Sequence, residues 1–150
     1  PSIKRHGGLL SWSYCEKHKI DIPNPGGGNL SRNLDEMRNL QDYVRLSFTT
    51  EHPMMYVAMK DGRISNPVIL RIDPSVVYLQ HTMYADMNAT TTKRTPNIGK
   101  SLEDFKKIHF STVKAHKHFD LDENERPYFQ AEVMVMTFIP KKYIINLDTF

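Results

Sequence analysis

A chain of 150 residues, 39% of them hydrophobic, is long enough to bury one sizeable core. No apolar run approaches the ~20 residues that cross a bilayer, no charged-then-apolar signal opens the chain, and one cysteine, Cys15, excludes an internal disulfide and a thiolate metal framework. A single cytoplasmic domain over residues 1–150 is expected, with no membrane contact, and the net charge of +3 is only modestly basic.

Ser2 to His6 reads as a short helix stopped by Gly7-Gly8. The chain begins at a proline, without an initiator methionine, and reads as a fragment lacking its first strand and part of its first helix. Residues 21–31, with two prolines and three glycines, are expected to be a loop. From Asp42 to Phe48 the pattern alternates as a strand, with Val44, Leu46 and Phe48 expected inward and Tyr43, Arg45 and Ser47 on the opposite face. Thr50 is the expected N-cap of a helix from Pro53 to Lys60, stopped by Gly62. Pro67 to Asp73 is expected to be a strand, and Val76 to Leu79 a short one. Residues 81–100 are polar and read as a long loop, and Ser101-Leu-Glu-Asp104 opens a helix with a capping box. The apolar stretch Gln130 to Ile139 is a strand, and Tyr143 to Leu147 closes the chain. Strands separated by short helices and long loops indicate an α+β fold with mixed or antiparallel sheets.

The stretch from Gln130 contains one carboxylate, Glu132. On a strand it shares a face with Met134, Met136 and Phe138, while Val133, Val135 and Ile139 line the other. A strand apolar on both faces is covered on both sides, where an ionised carboxylate costs several kcal/mol unless paired. Spacing alone leaves two uses open, a functional carboxylate or one at the strand's exposed first turn answering Arg126 or a lysine. A second concentration of charge is basic. Lys93, Arg94, Lys100, Lys106, Lys107, Lys114 and Lys117, with His109, His116 and His118, would suit a polyanion, although on composition a solvated helix face is the simpler reading.

Other chemistries drop out. Gly26-Gly-Gly28 lacks the lysine and hydroxyl of a P-loop and the spacing of a dinucleotide fold. The histidines have no metal-binding spacing on a helix, and His116 and His118 sit among lysines. What is left is a glycine-rich loop, arginines able to bind a pyrophosphate bidentately, and a strand carboxylate able to hold a ribose hydroxyl.

Five pieces in order resemble the DarT family of toxins that ADP-ribosylate DNA bases. They are Gly7-Gly-Leu-Leu-Ser11, the loop Pro25-Gly-Gly27, Leu40-Gln-Asp-Tyr-Val44 with Phe48, His52-Pro-Met-Met-Tyr56, and Gln130-Ala-Glu-Val-Met-Val135. The resemblance implies an ADP-ribosyltransferase-like fold, NAD⁺ as co-substrate, and transfer of ADP-ribose to a base in single-stranded DNA. It puts the catalytic role on Glu132, where a carboxylate facing a ribose that loses nicotinamide stabilises the developing positive charge and could help deprotonate the attacking base. Arg32 matches the family's NAD-holding arginine and would assist transfer, with Arg38 and Arg45 in reserve. Gly27, Tyr43, Ser47 and Met54 would line the cofactor, although for Tyr43, Ser47 and Met54 ordinary core or strand packing is the simpler reading. The nucleic acid would be met by Arg45, Lys93, Arg94, Lys106, Lys107 and Lys114.

Further expectations are a monomer acting as the toxin of a toxin–antitoxin pair, opposed by a macrodomain-type hydrolase. Two departures stand out. The family's amino-terminal strand, with a histidine near the adenosine of NAD, precedes the start of this chain. The strand that reads Asp-Tyr-Val-Pro-Phe-Tyr-Phe in the thymine-modifying branch reads Asp-Tyr-Val-Arg-Leu-Ser-Phe here, which leaves thymine and guanine both open. The alternatives are the same fold acting on RNA or protein, a catalytically dead nucleic-acid-binding module, or a structural domain in which Glu132 pairs with Arg126.

Overall fold

A computed structural model describes residues 2–22 and 28–150, which divide into two compact units. The first takes residues 1–44, 68–82 and 135–150, and the second residues 45–67 and 83–134.

In the first unit, helix α1 (Ser2–His6) ends at Gly7-Gly8 as its composition dictates, and strand β1 (Gly8–Leu10) follows. Ser11 caps α2 (Trp12–Lys17) by accepting the Tyr14 N–H at 3.3 Å. Gly28 then opens α3 (Asn29–Met37), so the predicted loop is shorter at its end than its composition suggested. Arginine, leucine, glutamate and methionine from residue 32 onward are strong helix formers, and they recruit Asn29 to Ser31 into the helix.

The second unit is organised by a four-stranded sheet in the order β2 (Tyr43–Ser47), β5 (Glu132–Met136), β3 (Met83–Ala85), β4 (Ile98–Gly99). The chain passes from one unit to the other within β2 and within β5. Strand β3 pairs antiparallel with both neighbours, Met83 opposite Met134 and Ala85 opposite Glu132 on one side, Tyr84 opposite Gly99 on the other. Around it lie α4 (Pro53–Lys60), α5 (Leu102–Lys106) and α6 (Phe110–Val113). The core of this unit includes Tyr84, Ala85, Met87, Ile108, Val113, Phe129, Ala131, Val133 and Met134.

The α+β class with antiparallel sheets is as expected, and so is the capping box, in which the Ser101 hydroxyl and the Asp104 carboxylate each accept the other's backbone N–H. Several local expectations fail. Residues 81–100 contain β3 and β4, which are too short for any periodicity to reveal. Pro67 to Asp73 forms no strand beyond one bridge, Ile72 to Ile144. Val76 sits in a 3₁₀ helix, Pro74–Tyr78, because Pro74 presets the turn and Asp73 caps it by accepting the Ser75 N–H at 2.8 Å. The N-cap of α4 is His52, not Thr50, through an imidazole nitrogen that accepts the Met54 N–H.

The stretch from Gln130 to Ile139 is not one strand. Thr137 adopts a φ of 63°, which a β-branched side chain disfavours. Two backbone bonds hold it there, its N–H to the Asp42 carbonyl at 2.6 Å and its carbonyl to the Ser11 N–H at 2.8 Å. The chain therefore turns out of β5 into β6 (Phe138–Pro140), which pairs antiparallel with β1.

Gly8 makes that second pairing possible. Its φ is +157°, and a Cβ there would collide with the Ile139 carbonyl oxygen, whereas one at Gly7 (φ +78°) would meet nothing. Gly7→Ala should cost about 1 kcal/mol through backbone strain. Gly8→Ala should cost clearly more, read as the larger loss in urea unfolding; equal losses would mean that β1 and β6 can separate without penalty.

Candidate active site

Glu132 opens β5 and is 8% exposed. Its carboxylate is met from two directions. Arg45 on β2 approaches side-on, Nε donating to Oε1 at 3.1 Å and Nη2 to Oε2 at 2.7 Å, and the Ala89 backbone N–H donates to Oε2 at 2.9 Å. Such a charge-assisted, two-bond contact is the strongest ordinary answer to a buried carboxylate. It offsets a desolvation cost of several kcal/mol.

The turn that supplies the Ala89 N–H is built from short polar side chains. Asn88 Oδ1 accepts the Thr90 N–H at 3.0 Å and the Thr90 hydroxyl at 3.0 Å, an Asx turn. The same oxygen accepts from Arg45 Nη2 at 2.9 Å, and Arg45 Nη1 reaches the Thr90 hydroxyl at 3.4 Å. Just upstream, buried Asp86 accepts the Asn97 N–H at 2.9 Å and its amide at 2.6 Å. The bonds from Asn97 anchor the segment that delivers residues 88–90 to the carboxylate.

The carboxylate's partner is thus Arg45 and not Arg126. The Arg126 Nε donates to the Leu121 carbonyl at 3.0 Å, and its guanidinium lies 6.0 Å from the Phe119 ring centroid. Arg45, expected at the nucleic acid or in reserve for NAD⁺, faces the glutamate. Asn88, Ala89 and Thr90 lie in a segment whose polarity reads as loop, and the only sequence signal for them is the Asx-turn propensity of Asn88.

His52 belongs to the same unit. Its Nδ1 accepts the Met54 N–H at 3.2 Å, which leaves a proton on Nε2 when the ring is neutral. Burial, then the positive charge of Arg45, then His118, hold its pKa below the ordinary histidine value. His118 is lowered too, by burial and then by Arg126, and its Nδ1 is buried without a hydrogen-bond partner among the described residues.

The remaining expected site residues are distributed as follows. Met54 is 47% exposed on α4. Ser47 is exposed, its hydroxyl donating to the Thr49 carbonyl and accepting the Thr49 N–H, both at 3.1 Å. Tyr43 is buried, and burial followed by the charge of Asp42 raises its pKa. Its structure fits the core reading. Arg32, on α3 in the first unit, lies 5.1 Å from the Trp12 ring centroid and 3.7 Å from the exposed Glu16 carboxylate. The ring contact orders the guanidinium more than the exposed ion pair does. Gly27 lies outside the described residues. Lys93, Arg94 and Lys114 are exposed, Arg94 reaching the Asn124 carbonyl at 3.4 Å. Lys106 and Lys107 pair along α5 with Glu103 and Asp104. Among the described residues no group of three metal-ligating side chains occurs, and no helix is long and apolar enough to cross a membrane.

A buried, fixed strand glutamate on an α+β fold is the arrangement the resemblance to ADP-ribosyltransferases leads one to expect. The sequence matches the family described as "ssDNA thymidine ADP-ribosyltransferase, DarT" over residues 1–149, and the chain belongs to that family. Solved structures share the fold at low identity. DarT of Thermus sp. 2.9 in complex with carba-NAD⁺ superposes with a TM-score of 0.62 at 19% identity, the match covering 95% of this chain and 72% of that one. The same protein in complex with ADP-ribosylated ssDNA gives 0.60 at 18%, with the same coverage. DarTG of Thermosipho africanus in complex with ADP-ribose gives 0.66 at 15%, over 91% of this chain and 37% of that one. No curated protein matches the sequence.

The His52 cap predicts an acid-sensitive helix start. A histidine whose folded pKa is depressed lends stability that is present above its unfolded value near 6.5 and is lost as pH falls through the folded one. Asparagine caps without titrating. Between pH 7.5 and 5, urea unfolding should therefore show a smaller loss of stability in His52→Asn than in wild type; parallel losses would mean that His52 titrates alike in both states.

Proposed function

We propose that this chain carries out the family's reaction, transfer of ADP-ribose from NAD⁺ to a base of single-stranded DNA, with Glu132 as the catalytic group. The observation that carries the reading is a carboxylate at the first position of β5, 8% exposed and held by three hydrogen bonds, in a chain that matches the family over residues 1–149. NAD⁺ supplies an activated ribose from which nicotinamide leaves. Glu132 retains an acceptor position on Oε1 for a ribose hydroxyl, and its negative charge faces the positive charge that develops as the glycosidic bond breaks. Both effects are strong because the carboxylate is fixed beforehand and shielded from water.

Arg32, steadied on Trp12, is assigned to NAD⁺, and Gly27, Tyr43, Ser47 and Met54 to the lining of its site. Lys93, Arg94, Lys106, Lys107 and Lys114 are assigned to the DNA backbone, where neutralised phosphates would make binding fall steeply with salt. We assign the whole of residues 1–150 to one ADP-ribosyltransferase domain, cytoplasmic, serving as a toxin countered by a macrodomain-type hydrolase. The family description names thymidine, while Arg45 and Ser47 depart from the thymine-modifying pattern, so the base is read directly in the test.

Incubation with NAD⁺ and mixed single-stranded oligonucleotides, followed by mass spectrometry, should show a gain of one ADP-ribose unit, and nuclease digestion should locate it on thymine or guanine. Glu132→Gln should lower the rate by about 100-fold or more. An undiminished rate would remove Glu132 from catalysis. Modification of RNA or protein, with DNA untouched, would replace the acceptor, and binding of DNA without any transfer would leave a nucleic-acid-binding module.

A further inference from the structure

We propose that Arg45, steadied by the Asn88–Thr90 turn, is the positioning residue for Glu132, fixing the carboxylate so that one acceptor position on Oε1 is offered to the ribose. The inference rests on the reading of Glu132 as the catalytic group. A carboxylate has about four acceptor positions. Two on Oε2 are taken by Arg45 Nη2 and the Ala89 N–H, and one on Oε1 by Arg45 Nε. The carboxylate cannot rotate without breaking these bonds, two of them to a planar cation. The cation is itself held, because Nη2 also donates to Asn88 Oδ1 and that oxygen is fixed by the Thr90 N–H and hydroxyl.

This arrangement decides between the two parts a strand glutamate can play. A proton taken up by Glu132 would neutralise the partner of a guanidinium held at 2.7 Å. Glu132 therefore serves as an oriented acceptor and a fixed negative charge, and does not carry away the proton of the base. In the transfer, the bond from C1′ to nicotinamide breaks with its electron pair leaving on nicotinamide. The attacking atom of the base supplies the pair for the new bond, and its proton passes to solvent.

Asp86 follows Ala85, the cross-strand neighbour of Glu132, and is engaged by Asn97. Tyr84 precedes Ala85 on β3. The charge of Arg45 bears on His52, which also feels His118.

Nicotinamide release from NAD⁺ in the presence of single-stranded DNA is the readout, with Glu132→Gln as control. Arg45→Lys keeps the charge but loses the fork, and should lower kcat by about 10- to 100-fold while KM for NAD⁺ stays within about 3-fold. Asn88→Ala, which leaves Glu132 and Arg45 in place, should lower kcat by a smaller factor in the same pattern. Wild-type kcat in Arg45→Lys, or a loss confined to KM in Arg45→Lys and Asn88→Ala, would overturn the proposal while leaving Glu132 catalytic. Full activity in Glu132→Gln would instead remove the reading on which the proposal rests.

Discussion

A carboxylate that is 8% exposed on a strand apolar on both faces needs a partner to offset its lost hydration, and in this chain that partner is the part-buried guanidinium of Arg45. The pair constrains its surroundings. Strand β2 must place Arg45 within reach of β5, β3 must turn at once into residues 86–90, and that turn must point a backbone N–H at the carboxylate while an amide oxygen faces the guanidinium. Remove either charge and the other is left costly in a low-dielectric setting. The sheet, the Asx turn and the clamp of Asn97 on Asp86 can be understood as parts that make one buried ion pair tolerable.

The same parts suit the chemistry of the family to which the chain belongs. Catalysis by preorganised charge requires that little moves as the substrate's charge develops. A glutamate on a loop would have to be ordered at that moment, whereas one at the start of β5, bound from two sides, is ordered in advance. The cost of burying it is met in folding and not in the reaction. Thr137, strained at a φ of 63° a few residues on, shows how sharply the chain must then leave the strand that bears the glutamate.

Much of this was legible in the sequence where one residue type has one physical meaning. A lone carboxylate in an apolar stretch marked Glu132, Ser101 and Asp104 marked a capping box, and five ordered motifs identified the family. Partners were harder to read. Period-two alternation placed Arg45 on a face of β2 but could not say that residue 132 would lie across from it, 87 positions later. Arg126, near in sequence, was therefore the natural but wrong partner. Strands of two or three residues, such as β3 and β4, carry no detectable period, so a real sheet hid inside a polar segment. Conversely, Pro67 to Asp73 reads as a strand through its apolar run Val68-Ile-Leu70 with Ile72, yet it gains only one bridge and leaves Val68 and Ile69 exposed. Hydrophobic content signals burial only when a partner surface exists, and pairing over long sequence separations is what a single sequence hides.

The most direct test of this account is a double-mutant cycle at Arg45 and Glu132, read by urea unfolding at neutral pH. A mutually dependent buried pair predicts that Arg45→Met, by stranding the carboxylate, costs about 3 kcal/mol, and that adding Glu132→Gln recovers a substantial part of the loss. Strictly additive losses would contradict it, since they would mean that each residue is held by its other contacts and that the carboxylate does not depend on the arginine.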